Sequence, residues 1–264
     1  MAITELGAGA PLVLVHSVHA AAWSMEWRNV AAQLAQSWRV ISIDLLGFGA
    51  SDRPDIAYSA ELFSALIADV VREVAGEPAV LVGSSLGGAY VLRVAATHPE
   101  LVRAVSLIGP AGISRLRAPG GAVNRWVQRL FRSAVPGRRL FNGLTSRFSI
   151  RFFLRDIYAD RGAMTPAAVD LYWRGAHQPG ARFGPAAFVG MALNVDVRAD
   201  LATVRCPVQL LWGRDASQTP IREAAEAQAI RPWMPFVALP GGDLPHDEQP
   251  AAFVAALQGF LAEV

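Results

Sequence analysis

Six short apolar, β-branched runs recur along the chain: Pro11–Val15, Arg39–Ile43, Ala79–Val82, Ala104–Ile108, Pro207–Trp212 and Phe236–Leu239. They read as continuous hydrophobic stretches rather than alternating ones, which is the pattern of strands buried on both faces. Between them, helical patterns lie near Trp27–Gln36, Ala60–Val74, Leu86–Thr97, Pro220–Ile230 and Pro250–Ala262. The alternation predicts an α/β fold, a mostly parallel sheet flanked by helices, with chemistry at the carboxyl ends of the strands. It breaks between Gly112 and about Asp200. Helix-like pieces with interleaved Arg, Phe and Trp, punctuated by Pro136-Gly137, Pro166, Pro179-Gly180 and Pro185, read there as a helical cap inserted over the strand ends. The expected organisation is a core of residues 1–112 and 201–264 and a cap of residues 113–200. Only Ile3–Leu6 precedes the first predicted strand, so an outer antiparallel strand is expected to be missing.

The run Ala79–Val82 leads into Gly83-Ser84-Ser85-Leu86-Gly87 and then an apolar helical stretch. A Gly-x-Ser-x-Gly turn between strand and helix lifts a serine hydroxyl above the sheet, the glycines leaving room for neighbouring backbone. It also aims the N–H of Leu86, at a helix N-terminus, toward a developing oxyanion. Ser85 is therefore the candidate nucleophile.

Composition narrows the class. Hydrophobic residues make up 53% of the 264 and charged residues 17%, the balance of a globular chain with a large core. No apolar run reaches the roughly 18 residues of a membrane span. Met1–Gly9 carries no basic segment of a secretion signal, so a cytoplasmic location is expected. Cys206, the single cysteine, precludes an internal disulfide. All 24 basic residues are arginine. Thirteen lie between Ile113 and Pro185 against only Asp156, Asp160 and Asp170, so the cap is strongly basic although the net charge is +2. Its arginines lack the aromatic–basic regularity of a nucleic-acid platform. The five histidines lack metal-ligand spacing. No cofactor, metal or nucleic acid is implied, and no stable membrane insertion.

From these residues the chain resembles the α/β-hydrolase superfamily over nearly its whole length. Asp44 to Pro54 looks like the family's loop after the strand beside the active site. Trp212-Gly213-Arg214-Asp215 looks like its acid loop, and Pro245-His246-Asp247-Glu248-Gln249-Pro250 like its histidine loop, in the family's order of serine, acid, histidine. The resemblance implies an α/β-hydrolase fold bearing a cap. Three loops depart from the pattern. Ala216 holds the place of the acid, with Asp215 one residue early. Asp243 holds the place of the histidine, with His246 three residues later. The oxyanion loop reads His16-Ser17-Val18-His19 where the family begins His-Gly.

The residues that remain admit a displaced triad. Ser85 would attack, His246 would act as base and then acid, and Asp215 would orient it. Leu86, with Val18 or Ser17, would supply the oxyanion N–H groups. Asp243, His19 and His16 are the alternatives for moving a proton or touching substrate. The leading expectation is a serine hydrolase cleaving a small or medium ester or related acyl compound. The alternatives are a cofactor-free lyase, isomerase or cyclase, and a catalytically silent binding protein. The partner is expected to be a small molecule with an apolar portion and, on one reading of the arginines, an anionic group; the chain is expected as a monomer or homodimer. A dehalogenase-type mechanism is excluded, because it needs an aspartate where Ser85 stands.

Overall fold

The computed structural model describes residues 1–263. Seven strands form one sheet: β1 (Ala2–Leu6), β2 (Pro11–Val15), β3 (Arg39–Asp44), β4 (Ala79–Ser84), β5 (Val102–Ile108), β6 (Val208–Gly213) and β7 (Phe236–Leu239), in the order β1-β3-β2-β4-β5-β6-β7. All neighbours are parallel except β1, which runs antiparallel to β3 from Ala2 opposite Asp44 to Leu6 opposite Val40. The outer antiparallel strand expected to be missing is therefore present. Five residues suffice because Gly7, at φ 77°, turns the chain back within a few residues, and the N–H of Ala2 donates to Ser51 Oγ at 2.7 Å.

Strands β2 and β4 are buried along their whole length, as their unbroken apolar runs require. On one face the sheet packs against α2 (Ala60–Val70), α3 (Leu86–Thr97), α9 (Arg198–Thr203) and α10 (Ala224–Ile230) through Ile41, Leu81, Ile67, Tyr90 and Leu201. On the other, Leu12, Val80 and Leu211 meet Trp27, Leu34 of α1 (Ala31–Leu34) and Phe253 and Leu257 of α12 (Pro250–Leu261). The helix expected over Trp27–Gln36 is only this one-turn α1 after a 3-10 turn at Ser24–Trp27. Its apolar spacing serves two short turns instead, because Glu26 and Asn29 are tied to distant loops by Ser17 and Asp247.

The cap holds α4 (Ala122–Arg132), α5 (Pro136–Leu144), α6 (Arg147–Ile157), α7 (Pro166–Ala176) and α8 (Phe183–Val189). Phe141, Ile150, Leu154 and Tyr172 pack there with Ala21, Met25 and Leu244 of the core loops, so the cap is seated on the strand ends. The chain rejoins the core earlier than residue 200: Leu193, Val195 and Val197 are already buried in the main core, and Arg93 on α3 pairs with Asp200 on α9 at 2.7 Å. A last one-turn helix, α11 (Pro245–Glu248), precedes α12. No helix among the described residues is long and apolar enough to cross a membrane.

Candidate functional site

Strand β4 ends at Ser84, α3 begins at Leu86, and Ser85 between them sits at φ 52°, ψ −120°. A side chain in that region is strained and persists only where its surroundings hold it. They do: the Ser85 N–H donates to Ile108 O at 2.9 Å, and its carbonyl accepts from Ala89 N–H at 3.2 Å and Ala111 N–H at 3.0 Å. The glycines are required by space. A Cβ on Gly83 would stand 2.7 Å from Gly88 backbone, and one on Gly87 2.9 Å from Val15 O. The Leu86 N–H is in the first turn of α3, where the helix itself provides no acceptor.

Above Ser85 lies a cavity of about 340 Å³. Val18 and His19 form one wall, Phe153, Ile157 and Phe188 of the cap another, and Arg115, Gln218, Thr219, Glu223 and Asp243 the polar end. Arg115 is ion-paired with Glu223, and its Nη1 donates to Gln218 O at 3.0 Å.

The loop after β2 is braced by a residue that the sequence reading missed. Glu26, fully buried, accepts from the Ser17 N–H at 2.9 Å and the Ser17 hydroxyl at 2.7 Å. Burial pushes the Glu26 carboxyl up, but His246, His16 and the Ser17 bond outweigh it and the net shift is downward, toward the carboxylate. The Ser17 N–H, expected as one possible oxyanion donor, is committed to Glu26 instead. His16 is also corrected. It is fully buried, accepts from the Leu45 N–H at Nε2 (3.0 Å) and meets Ser17 O with Nδ1 at 2.5 Å. That pattern assigns the proton to Nδ1 and leaves neither nitrogen for substrate. The signal for Glu26 was a single acid between Trp23 and Trp27 in an otherwise apolar stretch.

His19 does reach the cavity. Its Nδ1 accepts from the Ala21 N–H at 3.3 Å, which assigns the proton to Nε2, and Nε2 is buried without a partner. The ring lies 5.3 Å from Phe153 and 5.7 Å from Tyr172. Burial, opposed by Glu26 and reinforced by His16, drives its pKa down to about 4. At neutral pH the ring is uncharged, and its Nε2–H is enclosed.

The displaced triad is not brought together. His246 is fully buried away from the cavity, stacked on Trp27 at 4.2 Å, with Nε2 3.4 Å from Glu26 Oε1. It is held on that side because α11 turns its ring into the core beside Phe253. Asp215 is exposed, its N–H fixed to Gly241 O at 3.0 Å, and Ala216 is buried. Asp243 does line the cavity. Its carboxylate accepts from the N–H groups of Ser217 (3.0 Å), Gln218 (3.1 Å) and Thr219 (2.9 Å) and from the Thr219 hydroxyl (3.0 Å). It therefore ties the loop after β6 to the loop after β7.

Next to His246, Asp247 forms a buried polar cluster that the sequence reading also missed. It pairs with Arg28 at 2.9 Å and accepts from Asn29 Nδ2 at 2.7 Å and from the Tyr158 hydroxyl, which in turn faces the Tyr172 hydroxyl at 3.2 Å. Burial raises the Asp247 carboxyl and Arg28 opposes it, with a net upward shift. Glu248 accepts from Gly242 N–H at 2.6 Å and Asp160 N–H at 2.8 Å. Together these bonds fasten the cap to the loop where a histidine was expected.

Comparison with known proteins agrees with this fold. The sequence model of the alpha/beta hydrolase family matches residues 12–256. The chain belongs to the alpha/beta hydrolase family. Over 113 residues it is 43% identical to 2-hydroxymuconate semialdehyde hydrolase of Pseudomonas sp. (strain CF600), a match covering 42% of this chain and 40% of that protein. The matched stretch thus spans about two fifths of that relative's length. Over 269 residues it is 29% identical to 2-hydroxy-6-oxo-2,4-heptadienoate hydrolase of Pseudomonas putida, covering 98% of this chain and 91% of that protein. Among solved structures, a serine hydrolase involved in carbazole degradation superposes with a TM-score of 0.81 at 24% identity, covering 99% of this chain and 94% of that one, a likeness of fold. Both of these curated relatives are named as hydrolases.

Proposed function

We propose that this chain hydrolyses a small acyl compound, with Ser85 attacking the carbonyl and the Leu86 and Val18 N–H groups receiving the oxyanion. The observation that carries this is the strained Ser85, held by bonds from both flanks at the floor of a closed-in cavity. The polar end favours an uncharged substrate: Arg115 is already paired with Glu223, and Asp243 adds a second carboxylate. The relative named for 2-hydroxy-6-oxo-2,4-heptadienoate carries a carboxylate in its named substrate, so the substrates differ on this reading.

Proton transfer from Ser85 falls to Asp243, which shares the cavity. Three backbone N–H groups already hold its carboxylate. With a carboxylate and not an imidazole in this role, the pH–rate profile shows no inflection in the imidazole range. The same observation favours a second reading, a non-hydrolytic enzyme or a binding protein that uses the oxyanion N–H groups to hold a carbonyl without breaking a bond. A fluorophosphonate probe decides, since it reacts only with an activated serine. Labelling of the wild type, absent from Ser85→Ala, together with hydrolysis of uncharged p-nitrophenyl esters, supports hydrolysis. Absence of labelling and turnover, with a ketone or ester still bound calorimetrically, overturns it in favour of the second reading.

A further inference from the structure

A second and larger cavity, about 880 Å³, opens beside the first between cap and core. His19 and Phe153 line both, so the two share a wall. Its rim is apolar and faces outward: Phe148 and Phe152 of α6 are 82% and 70% exposed, and Leu144 of α5 is 44% exposed. Phe148 and Phe152 are four residues apart on one helix face, as are Leu140 and Leu144 on α5, and Val123 and Trp126 on α4 are three apart. All six are large apolar side chains left in solvent. Scattered single apolar residues on a surface need no explanation, but paired exposed apolar side chains on three successive cap helices, with Leu144, Phe148 and Phe152 at the opening, do.

The same helices carry the charge. Arg125, Arg129 and Arg132 on α4, Arg138 and Arg139 on α5, and Arg147, Arg151 and Arg155 on α6 are opposed on those helices only by Asp156, while Arg132 pairs with Asp55 and Arg147 with Asp170 from elsewhere. Amphipathic helices with Trp, Phe and Leu on one side and arginine on the other lie in the interface of a bilayer, and arginines at that depth are drawn to anionic headgroups. We propose that the α4–α6 face of the cap docks reversibly on an anionic lipid surface, with Phe148 and Phe152 entering the acyl boundary and the larger cavity opening onto the membrane. The aromatic rim would then admit apolar molecules from the lipid toward the site without contact with water. Charge complementarity selects this occupant over a second copy of the chain, whose own basic cap would repel it.

The test is co-sedimentation of the full chain with vesicles of phosphatidylcholine alone and with 30% phosphatidylglycerol (a choice of probe, about one anionic lipid in three). The expected result is binding to the anionic vesicles at low salt, lost at high salt, and none to neutral vesicles. Replacing Phe148 and Phe152 together by Ser weakens binding at least about tenfold. Replacing Arg139 and Arg151 by Gln weakens it by roughly fivefold for each arginine. These side chains are exposed, so the melting temperature stays within a few degrees of wild type. A Trp126→Phe variant loses part of the lipid-induced blue shift in tryptophan fluorescence. Failure to bind anionic vesicles at low salt overturns the proposal, as does binding that both double variants leave unchanged. A dimer seen by sedimentation velocity that the Phe148→Ser/Phe152→Ser variant dissociates, without vesicle binding, also overturns it and assigns the face to a second copy. The outcome is independent of what Ser85 does.

Discussion

Acidification should destabilise this fold through His19 before most carboxylates protonate. The ring is wedged between Phe153 and Tyr172, its Nδ1 accepts a backbone N–H, and Nε2 is buried without a partner. Adding a proton would destroy the Nδ1 acceptor and place a charge among aromatic rings. Its pKa accordingly falls from 6.5 to about 4 on folding, burial being the largest cause. The sign follows from which state takes up the proton. Between these values the unfolded chain binds a proton at this position and the folded chain does not, so stability is complete above pH 6.5 and is lost as pH falls toward 4. At about 1.4 kcal/mol per unit, the full loss is about 3 kcal/mol, of which about 2 kcal/mol is gone by pH 5.

Urea unfolding at pH 8 and pH 5 measures this loss once the other titrating groups are subtracted. The subtraction uses His19→Phe, which keeps a ring between Phe153 and Tyr172 and gives up only the titrating nitrogens. The wild type is expected to lose about 2 kcal/mol more between the two pH values than the variant. An equal loss in both proteins would refute the reasoning and mean that His19 titrates freely in the folded state. The same comparison bears on the chemistry, since a His19 that titrates normally would be available as a base beside Ser85.

Two further outcomes follow from the braces around the cavity. Glu26→Ala leaves the Ser17 N–H and hydroxyl without their buried acceptor, at about 1–3 kcal/mol for each orphaned group, so a loss of about 3 kcal/mol is expected in urea unfolding at pH 7; Glu26→Gln, which keeps one acceptor oxygen, loses less than half of that. Asp243→Ala removes the shared acceptor of Ser217, Gln218 and Thr219; in this partly exposed loop the expected cost is about 1–2 kcal/mol, with faster amide exchange at residues 217–219 and unchanged protection in α3.

The frame of the molecule was legible because it is written in runs and periods. Unbroken apolar stretches placed six strands close to where they lie, and the two glycines flanking Ser85 announced a turn whose strain the structure bears out. The outer strand β1 escaped because its exposed residues carry no buried period: Thr4, Glu5 and Leu6 face solvent at the sheet edge. The site was less legible for a different reason. Which way a side chain points is settled by partners remote in sequence, and the decisive ones here lie about 220 residues apart. Trp27 takes the His246 ring, Glu26 faces His246 Nε2, and Asn29 and Arg28 hold Asp247. No spacing rule within a loop carries that information.

Those long-range pairs also explain how a serine elbow coexists with a rebuilt histidine loop. In this chain the loop after β7 has become a structural clamp: Asp243 gathers the N–H groups of the loop after β6, Asp247 holds Arg28 and the cap's Tyr158, and Glu248 holds Gly242 and Asp160. The elbow needs none of them, since its strain is carried by β5, by the first turn of α3 and by close backbone contacts. Nucleophile geometry and proton-transfer geometry are thus held by separate sets of bonds. One can be kept while the other is rebuilt, and on this scaffold Ser85 stays a placed hydroxyl whatever the loop after β7 clamps.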